Sequence, residues 1–326
     1  MDRILAFLFS LLVLNACFIE DTPIEPHQPG DESLIEFDLS IYEHLIWFDL
    51  NTESIVKIES PGYYHLGFET APEGYHIRLN SANNFKICRT GSTLFEGTTS
   101  IPDSAEWRYD ASTGDLDSTA IGNWVSIALD GAISNNEVYL WGLFNGLNYQ
   151  VYRKIQFLSV DSDKYTFRSA ELDGNNEQTF TVWKDTLYAF VLFSFDAEGL
   201  VEQPHPDNWD LLFTPYYTTL YTDDGIPTPY NVRGILINEE RTLATLDTLN
   251  DFANIDYQLL ENYIFTNQLD AIGHEWKYYN GEDYVVTTNM NFVVKDTEGY
   301  YFKFRFVGYH NAENEKGFPS FELQRL

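Results

Sequence analysis

The side chains that could ligate a metal, attack a carbonyl or pass a proton are few in this chain and widely spaced. Seven histidines stand at 27, 44, 65, 76, 205, 274 and 310, never in the paired spacing that a zinc site requires. His274-Glu275 opens like a metalloprotease helix, but Tyr278 stands where the second histidine belongs. There is no Gly-x-Ser-x-Gly elbow and no phosphate-binding glycine loop. The acidic pairs Asp115/Asp117, Asp161/Asp163 and Asp223/Asp224 offer oxygens to a cation, yet none keeps a calcium loop with its closing glutamate. They read as turn carboxylates. Met290 lies in an apolar pattern and reads as core filler, and Cys88, in Phe85-Lys-Ile-Cys-Arg89, reads as a buried thiol. A binding protein, not an enzyme, is expected.

The other cysteine has a different setting. Arg3, the apolar run 4–14 and the box Leu14-Asn-Ala-Cys17 form an export signal too short to span a bilayer, with Cys17 as the lipidation site. Residues 17–33 hold several prolines and acidic side chains with little to bury, and read as a solvated tether. With Cys17 acylated, Cys88 stands alone, so the fold has no internal disulfide and depends on burial. For that the chain supplies 24 Phe, 22 Tyr and 7 Trp. Its 50 acidic and 19 basic residues give a net charge of −31, a field that repels phosphate backbones and excludes nucleic acid as a partner.

The elements that must position these residues are β-strands. From Tyr284, residues Val286, Thr288, Met290, Phe292 and Val294 share one face, and from Tyr300, residues Phe302, Phe304 and Phe306 do the same, which predicts a long hairpin. Phe144-Asn-Gly-Leu-Asn-Tyr149 echoes Tyr279-Asn-Gly-Glu-Asp-Tyr284, and from there the two stretches align without a gap, pairing Ile155 with Met290 and Phe167 with Phe302. Ala120-Ile-Gly-Asn-Trp124 echoes Ala271-Ile-Gly-His-Glu-Trp276, and Tyr64-His-Leu-Gly-Phe68 echoes Trp209-Asp-Leu-Leu-Phe213. Echoes in one order predict a duplicated module. The organisation expected is a signal at 1–16, a tether at 17–33, and modules at 34–180 and 181–326. Residues 249–263 are the best helical segment, with Phe252, Ile255 and Leu259 at helical spacing, and 218–230 reads as a loop. The class is all-β.

The lipobox, the acidic tether, Trp209-Asp-Leu-Leu-Phe213 and Ile272-Gly-His-Glu-Trp276 together resemble the HmuY family. So do Gly299-Tyr-Tyr-Phe-Lys-Phe-Arg-Phe306, Gly308-Tyr-His-Asn311 and Lys316-Gly-Phe-Pro-Ser-Phe-Glu322. The resemblance implies a β-dominated lipoprotein, lipid-anchored on the outer-membrane surface, that acquires haem and passes it to a TonB-dependent receptor. It also implies two axial ligands, His or Met, one in the segment before the Gly-Trp stretch and one in the hairpin after it. Here neither 239–270 nor 277–283 contains either residue. Ligands must then come from elsewhere: His274, His310, or Tyr278 or Tyr279 as a phenolate ligand. The alternative is a scaffold lipoprotein that docks a surface protein or glycan through aromatic loops around Trp107 and 216–221.

Overall fold

The computed structural model describes residues 29–37, 44–129, 131–222 and 224–326; the signal, Cys17 and most of the tether lie outside them. Strands make up 47% of the described residues and helical turns 6%, and every ladder among them is antiparallel, as the alternating patterns require. No helix among the described residues is long and apolar enough to cross a membrane.

The strands build two units, each a pair of sheets closed over one core. In unit 1, a sheet ordered Gln178–Trp183, Lys164–Ala170, Tyr149–Val160, Val138–Phe144, Lys86–Arg89 and Trp107–Arg108 faces a sheet ordered Gly199–Leu200, Phe190–Ser194, Leu66–Glu69 and Ile77–Leu79. Its core runs from Leu66 to Phe195 and holds Phe68, Trp124, Phe157, Phe167 and Phe193. In unit 2, the order Glu32–Glu36, Lys316–Arg325, Tyr301–His310, Asn291–Lys295 and Leu243–Asp247 faces Pro227–Ile237, Leu211–Tyr221, Leu45–Asp49 and Ser54–Glu59. Phe302, Phe304 and Phe306 point inward here, as their alternation predicts, beside Trp276 and Phe321.

The two units draw on the chain differently from a division at residue 180. Unit 1 is contiguous, whereas unit 2 takes the strands Glu32–Glu36, Leu45–Asp49 and Ser54–Glu59 from the N-terminal end to complete its two sheets. Phe48 of that segment packs edge-on against Phe37, Phe213 and Phe321. In unit 1 the same place is filled from the following chain, where Leu66 pairs with Phe193 as Leu211 pairs with Phe48.

Side-chain anchors repeat between the units. Asn80 Nδ2 donates to the Pro61 and Tyr64 carbonyls, and Asn238 Nδ2 donates to those of Pro206 and Trp209. Lys154 sends its ammonium to the carbonyls of Phe95 (2.9 Å) and Thr98 (3.1 Å); Lys303 does so to Phe252 and Ile255, both at 2.8 Å. These anchors correct the gapless alignment. Phe157 pairs with Phe167, but Phe292 pairs with Phe304 and not Phe302, and the place of Ile155, next to the buried lysine, belongs to Phe304. Met290 instead lies half-buried after a turn in which Asn289 takes a φ of 59°. That turn divides the expected strand into Tyr284–Val286, which pairs with Lys277–Tyr279, and Asn291–Lys295, which stays in the sheet.

Two further expectations change. Residues 249–263 form short 3-10 turns, Phe252–Asn254 and Tyr257–Asn262, because the Asp256 carboxylate accepts from the Gln258 and Leu259 amides and starts a new turn. Phe252 and Ile255 are buried all the same. Residues 218–230 are mostly strand, paired from Leu211↔Ile237 to Tyr221↔Pro227. Pro227 and Pro229 are tolerated because Pro227–Ile237 is an edge strand and needs no donor on its outer side.

Candidate functional site

A cleft of about 600 Å³ opens in unit 2 between the outer half of the Leu211–Tyr221/Pro227–Ile237 hairpin and the small hairpin Lys277–Tyr279/Tyr284–Val286. Two glycines make it. Gly234 and Gly273 lie so close that a Cβ at 234 would meet the Gly273 carbonyl oxygen at 2.5 Å, and Gly273 has a φ of +68°. Their closeness lets Ile235 and Gly273 exchange backbone hydrogen bonds of 2.9 and 3.1 Å, which sets His274 at the rim of the strand.

His274 Nδ1 lies 3.3 Å from the hydroxyl of Tyr216, whose ring is buried. Burial raises the Tyr216 phenol above its ordinary range, so that hydroxyl stays neutral. Burial and then the nearby Lys277 lower the His274 pKa, which keeps the imidazole neutral at physiological pH. With Nδ1 engaged, Nε2 is the nitrogen left to a ligand. Tyr230, Tyr278, Tyr279 and Tyr284 wall the cleft; Tyr278 and Tyr279 are more than half exposed, and Tyr279 leans on Tyr284 at 5.5 Å. Arg233 and Lys277 bring positive charge to it.

His310 is placed otherwise. Its Nε2 sits 3.0 Å from the Asp283 carboxylate, tying the small hairpin to the end of Tyr301–His310. It lines a second cleft, of about 580 Å³, shared with Met290, Val285 and Thr287 on the far side of Tyr284–Val286. Thus His274 and Tyr279 share one cleft and His310 borders another; Cys17, the expected lipidation residue, lies outside the described residues. Met290 packs on the core and also borders that second cleft, a position its alternation pattern did not reveal.

The remaining chemistry-bearing residues serve the fold. His65 Nδ1 accepts from the Phe195 amide, His76 pairs with Glu69 at 2.6 Å, and His205 caps the turn Pro206–Asn208. Cys88 is buried in unit 1, where burial pushes its thiol pKa up. Asp115 and Asp161 accept from amides of their own turns. Among the described residues no group of three His, Cys, Asp or Glu could hold a metal ion. Of the expected aromatic docking segments, Trp107 lies flat on Tyr149 at 4.1 Å and Tyr216 is inside, while Tyr221 is exposed. Sequence reading missed Gly234, Arg233 and Lys277. A lysine directly after a buried tryptophan, where the first copy has Val125, was the available signal for the last.

The family model of the HmuY protein matches residues 41–323, nearly the whole described chain. The chain belongs to the HmuY family. Comparison with curated protein sequences gives no match. Among solved structures, the chain is similar to apo PinO from Porphyromonas gingivitis, with 11% identity over 91% of this chain and 97% of that one at a TM-score of 0.30. It is similar to the apo HmuY analog TFO of Tannerella forsythia, with 11% identity, 93% and 98% coverage, and a TM-score of 0.26. A Bacteroides vulgatus protein described as HmuY-like is 18% identical over 53% of this chain and 91% of that one, at a TM-score of 0.17.

Proposed function

We infer that this HmuY-family protein is a surface lipoprotein that binds haem as cargo, in the tyrosine-walled cleft of unit 2. The observation that carries this reading is His274. With Nδ1–H donating to the buried, un-ionised Tyr216 hydroxyl, the neutral imidazole is oriented as metal-bound histidines are, and Nε2 keeps the lone pair that would meet iron. The residues present fit the group: four tyrosine rings suit a flat aromatic ligand, and Lys277 suits a carboxylate at its edge. The size is also right for a small-molecule site. Bound haem would supply the iron that takes the imidazole, and this chain would supply one axial ligand, so five-coordinate binding follows. The role is carriage, not catalysis. Lipidation at Cys17, anchoring in the outer membrane and delivery to a TonB-dependent receptor complete the reading, supported by the lipobox and the family.

Titration of the protein with haemin tests it. A saturable Soret band at one haem per chain, of five-coordinate high-spin type, is expected. His274→Ala should weaken it at least tenfold, and His310→Ala should leave it unchanged. A broad, unsaturable absorbance would refute haem carriage and favour the scaffold reading. Loss on His310→Ala alone would move the site to the second cleft. Release of the protein from membranes by Cys17→Ala is expected for the anchor; retention would refute it.

A further inference from the structure

The two units offer an internal comparison at the tryptophan that follows each glycine turn. In unit 1, Trp124 Nε1 donates to the Tyr75 carbonyl at 2.7 Å, and the next residue is Val125. In unit 2 the corresponding carbonyl is that of Arg233, since Ile235 pairs with Phe213 as Ile77 pairs with Phe68. That carbonyl is taken by Lys277 Nζ instead. Trp276 is completely buried, and its Nε1 is left without a partner. A buried N–H without an acceptor is costly and rare, and the same backbone satisfies it elsewhere in this molecule. Lys277 is therefore not required by the fold.

Its surroundings are also unlike those of the other buried lysines. Lys154 and Lys303 each donate to two carbonyls, whereas Lys277 donates to one and borders the cleft, with two N–H groups still to place. Its ammonium lies over the rings of Trp276 (4.1 Å) and Tyr309 (5.2 Å). Burial, and then the neighbouring charge of Arg233, lower its pKa to about 7. The chain has 50 acidic residues, yet among the described residues none pairs with this lysine. A buried ammonium at the rim of a tyrosine-walled cleft, with no carboxylate among the described residues beside it, is placed to receive an anion.

We propose that Lys277 is a ligand-binding residue whose ammonium receives a carboxylate of the bound molecule, so that the cleft selects carboxylate-bearing planar ligands. This rests on the haem reading of the same cleft and assigns the group that recognises the acidic edge of the ring.

The experiment compares haemin with its dimethyl ester, in which both carboxylates are masked, on the full chain. The wild-type protein should bind haemin about tenfold or more tighter than the ester, the worth of one charge-assisted hydrogen bond. Lys277→Arg should keep that preference. Lys277→Val, which copies unit 1, should abolish it by weakening haemin and sparing the ester, while its melting temperature holds or rises as Trp276 regains an acceptor. Equal affinity of the wild type for haemin and ester refutes the assignment and leaves the haem reading standing. An unchanged preference in Lys277→Val, or a marked fall in its melting temperature, refutes it also. Saturable binding of neither compound refutes the haem reading itself. The wild-type comparison needs no variant, so the proposal can fail even if a substitution disturbs folding.

Discussion

Phe48→Ala should unfold the wrong end of the sequence. Phe48 lies near the N-terminal end of the described chain, 1% exposed, with its ring edge-on to Phe37 (5.5 Å), Phe321 (5.9 Å) and Phe213 (6.3 Å). Deleting a fully buried phenyl ring costs about 3–5 kcal/mol, and loss of edge-to-face pairs places this site toward the upper end. At about 4 kcal/mol the guanidinium midpoint should fall by roughly 1 M, taking a slope of about 4 kcal/mol per M for a chain of this size. Amides that exchange by opening of the same core should exchange about a thousandfold faster. The decisive readout is where. Because Phe48 completes unit 2, protection should be lost along 211–237 and 292–323 and kept along 66–89 and 138–170. Phe193→Ala, at the matching place in unit 1 and also 1% exposed, should reverse the pattern. Loss of protection in 66–170 on Phe48→Ala, or a cost below about 1 kcal/mol, would refute the closure of unit 2 by the N-terminal strands.

Stability should also depend on pH through Asp210. Burial lifts its pKa to about 6, while the Leu50 and Thr297 amides, at 2.9 and 2.8 Å, oppose the rise. The native state therefore binds more protons than the unfolded chain between about pH 4 and 6, and stability falls as pH rises through that window, by about 3 kcal/mol from this group. Asp210→Asn should flatten that slope in urea melts at several pH values; an unchanged slope would mean that the group titrates normally. Gly234→Ala should cost about 1–3 kcal/mol by pushing the strand off the Gly273 carbonyl, and should weaken haemin binding with it by displacing His274. Calorimetry and the haemin titration check the two effects, and intact binding in a destabilised variant would separate His274 from the glycine contact.

Closure by the N-terminal segment also bears on anchoring. Glu32–Glu36 pairs with Lys316–Arg325, and the Gly30 amide donates to the Arg325 carbonyl at 2.8 Å, so the described chain begins in the sheet of the unit that holds the cleft. A pull on a lipid anchor at Cys17 would be borne by that sheet and not by unit 1.

Much of this was written locally. Period-two alternation placed Phe302, Phe304 and Phe306 inside. The motifs around Trp209, Trp276 and the last strands named the family, because each is a short-range packing unit: Asp210 as an amide acceptor, the Gly273 turn, the aromatic strand. What the sequence could not decide is long-range. Strand exchange across the chain is set by which hydrophobic edge remains open, so 45–49 pairs with 211–213, far along the chain, and no local pattern records that. An ungapped match of residue types laid Tyr149–Val160 over 284–295, one strand too early: the buried anchors Lys154 and Lys303 place it on Tyr301–His310, so the place of Ile155 belongs to Phe304 and not to Met290. The cleft has the same origin. Tyr216, Gly234, His274 and Lys277 meet only because two glycines let distant backbones touch, and a lysine that captures the carbonyl meant for a tryptophan can be recognised only when both are in place.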